Sequence, residues 1–327
     1  MRVRTAGKLG YCFGVSQAIE KAIKFAGDHE GKLYTLGTLA HNEQVVEYLR
    51  SHGIEPVPFE KPHPSMPGNW AKLSHGNIAI TAHGAPPEIY ERLKEFNMNI
   101  LDCTCPIVRK AQLVVSTKLD GFDIVIYGDP DHQEVIGLNG WAKGADTLPA
   151  GAKFIGGFND LFTPGQDFKP LGLSRKIGII SQTTKIPSEF ADFVTTLINR
   201  NIERLDEVRV INTICPIVTQ RIEDTRKLAN EVDAMLVVGS KESANTMNLA
   251  RVASGAMGIK PVLQVLREGD IGAALVEAFQ ATDWGNIRIG VTAGTSTPID
   301  VVKKVVEVVE KVSSRVEERM YGNNHSD

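Results

Sequence analysis

A chain of 327 residues, at roughly 100–200 residues per domain, predicts two or three domains. Its 36 Lys and Arg nearly balance its 39 Asp and Glu, and a net charge of −3 argues against a nucleic-acid binder, which would carry a basic surplus. A 42% hydrophobic and 23% charged composition fits a folded core and excludes a disordered chain. No apolar run approaches the roughly 18 residues of a membrane span, and no apolar leader follows Met1–Lys8, so a cytoplasmic location with no membrane association is expected. Four cysteines in such a chain predict buried thiols, metal ligands or catalytic groups before disulfides.

Taken in chain order, the predicted elements repeat. Cys12 opens a helical pattern in which Val15, Ala18, Ile19, Ala22, Ile23 and Ala26 share one stripe. A strand over Leu33–Gly37 leads to His41, and a strand over Ile78–Thr81 leads through Ala-His-Gly-Ala, with His83, to Pro86. The pattern restarts at Asp-Cys-Thr-Cys-Pro-Ile-Val-Arg-Lys, residues 102–110. There Cys105 precedes Pro106, a strand over Ile124–Gly128 leads to His132, and Ile177–Ser181 leads through Gln-Thr-Thr-Lys to Pro187. It restarts again at Asn-Thr-Ile-Cys-Pro-Ile-Val-Thr-Gln, residues 212–220. Cys215 precedes Pro216, Met235–Gly239 leads to Ser243, and Ile287–Thr292 leads through Ala-Gly-Thr-Ser-Thr to Pro298. In every copy a polar residue lies four positions past the strand-ending glycine: His41 after Gly37, His132 after Gly128, Ser243 after Gly239. A last helix from Ile299 to about Glu318, with Val301, Val302, Val305, Val306, Val308 and Val309 along it, is expected to dock on the third copy.

The expected fold is therefore α/β, with three units over 1–100, 101–208 and 209–318 and a polar tail over 319–327. Alternating strands and helices imply parallel sheets, whose ligand sites lie beyond the carboxyl ends of the strands. Nine polar loops then belong at such ends. Three pseudo-threefold-related units can aim them at one central site; the alternative is a duplicated scaffold whose loops face three separate places.

Pro106 and Pro216 place Cys105 and Cys215 at or next to a helix N-cap, where free amides and the positive end of the helix dipole favour a thiolate. Three such thiols, Cys12, Cys105 and Cys215, read as a ligand set for one metal centre. A zinc ion with one open position is possible chemistry. A cubane iron–sulfur cluster suits ligands from distant loops better, and three cysteines on a [4Fe–4S] cube leave one iron for substrate. Cys103 has no counterpart and reads as a small buried residue. His41, His83 and His132, with Ser243, Asn245, Thr295 and Ser296 in the third unit, suit an anionic oxygen cluster such as a diphosphate. Glu134, an acid among donors, reads either as a proton carrier or as a first-turn glutamate answering the dipole. Thr183, in the same unit, could pass a proton through its hydroxyl.

These motifs resemble the 4-hydroxy-3-methylbut-2-enyl diphosphate reductase (LytB) family over nearly the whole chain. The resemblance rests on Gly-Tyr-Cys-Phe-Gly-Val (10–15), Ala-His-Asn (40–42), Ala-His-Gly (82–84), Thr-Cys-Pro-Ile-Val (104–108) and His-Gln-Glu-Val-Ile-Gly (132–137). Ser-Gln-Thr-Thr (181–184), Val-Val-Gly-Ser-Lys (237–241) and Gly-Val-Thr-Ala-Gly-Thr-Ser-Thr-Pro (290–298) complete it. It implies a three-lobed α/β fold around a [4Fe–4S] cluster on Cys12, Cys105 and Cys215. It also implies a diphosphate site on His41, His83, His132, Ser243, Asn245 and Ser296, with Glu134 as proton source and Thr183 as its hydroxyl partner near the substrate alcohol. The implied reaction removes an allylic hydroxyl as water and yields isopentenyl and dimethylallyl diphosphates, the last step of the methylerythritol phosphate route to isoprenoids. An electron donor such as ferredoxin or flavodoxin is the implied partner.

The sequence departs from the family in a few places. Gln133 stands where proline is usual, Ala244 where a serine is common, and Pro216-Ile217-Val218 follows the last cysteine in place of Tyr-Ala-Thr. These put substrate affinity, and the identity of the anionic substrate, more in question than the cluster. A dehydratase of the quinolinate-synthase type and a zinc-binding sensor are the competing expectations.

Overall fold

The structure is a computed structural model that describes residues 2–59, 73, 75–142, 147–150, 175–258, 261–271 and 287–321. In chain order the elements begin with β1 (Arg2–Thr5), α1 (Phe13–Asp28), β2 (Leu33–Leu36), α2 (Glu43–Arg50), β3 (Ile54–Val57), β4 (Asn77–Ile80), α3 (Pro87–Glu95) and β5 (Asn99–Asp102). Next come α4 (Pro106–Leu113), β6 (Asp123–Tyr127), α5 (Gln133–Gly140), β7 (Thr147–Ala150), β8 (Lys176–Ser181), α6 (Pro187–Asn201) and β9 (Glu207–Val210). The chain continues with α7 (Pro216–Glu231), β10 (Ala234–Val238), α8 (Ala244–Met257), β11 (Val262–Val265), β12 (Arg288–Ala293) and α9 (Ile299–Tyr321).

The strands form three four-stranded sheets, ordered β3-β2-β4-β5, β7-β6-β8-β9 and β11-β10-β12-β1, and every pairing is parallel. Counting strands within each sheet from the one after its first helix-opening cysteine, all three share the order 2-1-3-4. In such doubly wound sheets the connections leave in opposite directions between strands 1 and 3, and the crevice beyond their carboxyl ends is where ligands bind. Six of the nine polar loops read from sequence leave these central strands. His41 follows β2, His83 follows β4, His132 follows β6, Thr183 follows β8, Ser243 follows β10 and Ser296 follows β12.

The fourth strand of each sheet leads into a cysteine. For that reason the sequence-based unit borders need correcting: residue 100 lies within β5 and residue 208 within β9, while β1 pairs with β12 and belongs to the sheet of the third unit. The repeat is legible from each cysteine onward, whereas the strand preceding it completes the sheet before. By compactness the chain divides in two. One unit comprises Met1–Phe13, Ala40–Val45 and Pro216–Asp327, and holds the sheet β11-β10-β12-β1. The other comprises Gly14–Leu39 and Val46–Cys215, and holds the remaining two sheets.

Parallel sheets covered on both faces need strands that are apolar throughout. Residues Ala234–Val238 of β10 are all fully buried, as are Ile124, Val125 and Ile126 of β6. Helix α9 packs Val301, Val302, Val305 and Val309 against Ile289 and Val291 of β12, as its valine pattern predicted. It runs on through Tyr321, three residues into the expected polar tail, since no helix breaker precedes Gly322; residues 322–327 lie outside those described.

Candidate active site

Each cysteine loop is tied down in the same way. The backbone N–H of Cys105 donates to Ala82 O at 3.0 Å, that of Cys215 to Thr183 O at 2.8 Å, and that of Cys12 to Thr295 O at 3.1 Å. Every bond joins a cysteine to the polar loop leaving the third strand of its sheet. The repeat inferred from sequence thus extends to individual hydrogen bonds. Cys105 is the N-cap of α4, with Pro106 as its first helical residue, and Pro216 opens α7 in the same manner. The Pro216-Ile217-Val218 departure repeats Pro106-Ile107-Val108, with Val218 buried like Val108.

All three thiols are half-buried and free of disulfides. A Cβ built on Gly14 would lie 2.6 Å from Cys105 Sγ, so only glycine fits beside that sulfur. The donor set (soft thiols at helix N-termini, packed against bare backbone) fits an iron–sulfur group. Cys103 is different: its thiol is buried, points to Ala18 O at 3.8 Å, and is pushed up by burial to about 12.

In the larger unit the structure brings His83 and His132 together, edge to face, with ring centroids 5.3 Å apart. His132 is the N-cap of α5, and its Nδ1 accepts the Glu134 N–H at 3.1 Å. A neutral imidazole accepting at Nδ1 carries its proton on Nε2, so His132 presents a donor to an anion.

Glu134 follows at the second position of the helix and is buried. Thr183 answers both of its oxygens: the backbone N–H donates to Oε1 at 2.6 Å and the hydroxyl to Oε2 at 2.8 Å. Burial pushes the carboxyl up to about 7, opposed by the two Thr183 hydrogen bonds and the positive Lys185. Lys185 is itself buried, paired through Nζ with Asp129 Oδ1 at 2.6 Å, and lies 5.8 Å from the centre of the Tyr127 ring. Sequence reading passed over Lys185 and Asp129; the signal available was a lysine inside a loop otherwise made of Gln, Thr and Thr.

The smaller unit supplies Cys12, His41, Ser243, Asn245 and Ser296. Burial pushes the His41 imidazole below its ordinary value, against a smaller upward pull from Glu242. Its neighbour Asn42 caps α2 instead, accepting the Val45 N–H at 3.2 Å. Ser243 is the N-cap of α8, its Oγ accepting the Thr246 N–H at 3.3 Å. Asn245 Oδ1 accepts the Thr295 N–H at 2.9 Å, which orients the loop carrying Ser296. The Ser296 hydroxyl and the amide nitrogens of Asn245 and Asn42 are buried without a protein hydrogen-bond partner. Buried donors are normally satisfied, so these orphans at or next to helix starts are candidates for contact with a ligand. Asn42 was quoted in a motif but given no role from sequence; its place just before Glu43 at a helix start was the available sign.

Three parallel sheets of one order, each with a helix-opening cysteine after its fourth strand, define a doubly wound α/β protein built on a threefold repeat. A profile of the family described as LytB protein matches residues 3–310. A protein of Dehalococcoides mccartyi described as 4-hydroxy-3-methylbut-2-enyl diphosphate reductase is 34% identical over 320 residues, covering 96% of this chain and 99% of its own. One of the same description from Clostridioides difficile is 29% identical over 313 residues, covering 95% of this chain and all of its own. The chain belongs to the LytB family. The solved structure of (E)-4-hydroxy-3-methyl-but-2-enyl diphosphate reductase, the terminal enzyme of the non-mevalonate pathway, matches at 28% identity with a TM-score of 0.63, over 95% of this chain and 100% of its own. A reductase structure from Plasmodium falciparum, at 24% identity and a TM-score of 0.76 over 94% of this chain and 87% of its own, shares the fold.

Proposed function

We propose that this chain reduces (E)-4-hydroxy-3-methylbut-2-enyl diphosphate to isopentenyl and dimethylallyl diphosphates, consuming two electrons and two protons and releasing water. Family membership supports the reaction, and one observation carries its chemistry: Glu134, buried, held at both oxygens by Thr183, and raised to about 7. A carboxyl poised near neutrality can hold a proton and still give it up.

Cys12, Cys105 and Cys215 would hold a [4Fe–4S] cluster with one iron free of protein ligands. When bound, that group supplies reducing electrons and a Lewis-acidic iron for an alcohol oxygen. The residues do the rest. His41, His83 and His132, with Ser243, Asn245 and Ser296, donate hydrogen bonds to the diphosphate and fix the carbon chain. Glu134 holds the proton destined for the departing hydroxyl, and Thr183 keeps its carboxyl oriented. Electrons would come from a small low-potential carrier such as ferredoxin or flavodoxin in the cytoplasm; among the described residues no helix is long and apolar enough to cross a membrane.

The test is anaerobic purification with iron and sulfide counting, followed by turnover with the allylic diphosphate and a low-potential reductant. Brown protein forming both alkene diphosphates is expected. Colourless protein holding zinc, or no alkene diphosphate, overturns the reading.

A further inference from the structure

Gln133, where the family resemblance leads one to expect proline, joins two parts of the imidazole pair. It is the first helical residue of α5, directly after the N-cap His132. Its Nε2 donates to Gly84 O at 2.9 Å and to Thr81 Oγ1 at 3.0 Å, the residues on either side of the His83 turn. A carbonyl can only accept, so the contact with Gly84 fixes which end of the amide is nitrogen. The other end, Oε1, lies where a Cβ on Gly37 would come within 2.7 Å, and Gly37 has a φ of +77°, so glycine is required there twice over. Gly84 is likewise in the left-handed region, with a φ of +73°. The amide is therefore seated between two glycine turns, where a proline ring would supply neither of these donor contacts.

We propose that Gln133 is a positioning residue that braces the His83 turn against the His132 helix and selects the tautomer His83 presents to an anion. The proposed polarity runs along one chain of donors. Thr81 Oγ1 accepts from Gln133 and lies 3.4 Å from His83 Nδ1; with one lone pair already engaged, the hydroxyl is placed to give its own hydrogen to that nitrogen. His83 then accepts at Nδ1 and carries its proton on Nε2, the same state that the Glu134 N–H imposes on His132. Both imidazoles of the edge-to-face pair thus turn an N–H outward without bearing charge. Proline at this position could hold the helix start but could not polarise Thr81. The ligand class is a diphosphate or similar polyanion, and this role rests on the diphosphate reading above.

The experiment is a two-by-two cycle on the holoenzyme with Gln133→Met, Thr81→Val and the double variant, plus Thr81→Ser as the conservative control. Affinity for inorganic diphosphate is measured by calorimetry, and KM and kcat with the allylic diphosphate. Gln133→Met and Thr81→Val should each weaken diphosphate binding roughly 5–10-fold, the scale of one hydrogen bond. The double variant should be no weaker than the worse single, because both break one chain of donors. KM should rise by a similar factor with kcat falling less than about twofold, and Thr81→Ser should bind like wild type. Additive losses, unchanged affinity in Gln133→Met, or a wild type that does not bind inorganic diphosphate each overturn the brace. A coupled cycle in a protein that forms no alkene diphosphate instead overturns the reductase reading and leaves the brace standing.

Discussion

Glu134 and Thr183, 49 residues apart in sequence, meet in a two-point contact that uses both carboxylate oxygens and both donors of the threonine. The same Thr183 accepts the Cys215 N–H through its carbonyl, so the proposed acid is linked through one residue to a proposed cluster ligand. With its carboxyl pushed up to about 7 by burial, Glu134 is protonated below that pH and ionised above it. An acid that must begin protonated gives a kcat/KM that falls as pH rises through about 7. Glu134→Gln should retain diphosphate affinity while lowering kcat by about 10²-fold or more. Steady-state kinetics across pH 5.5–9 would check both, and a flat profile in the wild type would remove the acid role.

Lys185 offers a second handle on the same group. Its ammonium, buried beside Asp129, holds the Glu134 carboxyl lower than burial alone would leave it. Lys185→Met keeps the length of the side chain and removes the charge, so the descending limb of the pH profile should move to higher pH. It also strands Asp129, which is partly exposed and can rehydrate, so the stability loss should be about 1–3 kcal/mol, less than for a fully buried pair. A limb that stays in place, or moves down, contradicts the assignment.

The same pKa shift has a consequence for folding. A carboxyl raised from 4.5 in the open chain to about 7 in the fold makes the folded state bind the extra proton between those values. Its contribution is fully present below pH 4.5 and is lost as pH rises through about 7, an effect of up to about 3 kcal/mol. Glu134→Gln should abolish that part of the slope. Urea denaturation of wild type and variant at pH 5 and pH 8 would measure it; parallel slopes would show that Glu134 is ionised in the fold.

Much of this was legible in the sequence, and for identifiable reasons. Strands such as Ile124–Gly128 and Met235–Gly239 are short apolar runs ended by glycine, and β6 and β10 occupy them almost to the residue. His132 and Ser243 were placed four residues past those glycines, and both prove to be N-caps, a position set by local chain geometry. In the first copy the cap moves one residue to Asn42, which leaves His41 outside the helix; nothing in the spacing distinguishes the two. The membership of β1 was not legible, because an edge strand of Arg2–Thr5 with mostly exposed residues has no pattern that names its partner. Nor were the links of Gln133 to Thr81 and of Lys185 to Asp129, which span 52 and 56 residues and exist only once the loops are folded together.

The four cysteines should divide three against one. Cys12→Ser, Cys105→Ser and Cys215→Ser replace a thiolate with a poor iron ligand, and each should lower bound iron and bleach the visible charge-transfer band. Cys103→Ala should keep full iron, since its buried thiol is held protonated and packs against Ala18. Gly14→Val tests the same surroundings from the backbone side. Its Cβ would fall 2.6 Å from Cys105 Sγ, and iron content should drop although no ligand has been removed. Iron-to-protein ratios on anaerobically prepared variants are the measurement; iron loss in Cys103→Ala equal to that in Cys105→Ser would break the assignment.

Ser296 separates binding from folding. Its buried hydroxyl has no protein partner, and a buried unsatisfied polar group costs about 1–3 kcal/mol in the folded state. Removing the oxygen therefore relieves the free protein of that cost, while a bound diphosphate loses a donor. Ser296→Ala should melt at or above the wild-type temperature and yet raise KM for the allylic diphosphate about 5–10-fold, the equivalent of one hydrogen bond. Asn245→Ala is the contrasting case. Asn245 Oδ1 holds the Thr295 N–H, so that variant should lose both stability and affinity. Thermal melts of the ligand-free protein beside KM values decide between them. If Ser296→Ala destabilises the free protein as much as Asn245→Ala does, the hydroxyl serves the fold and not the ligand.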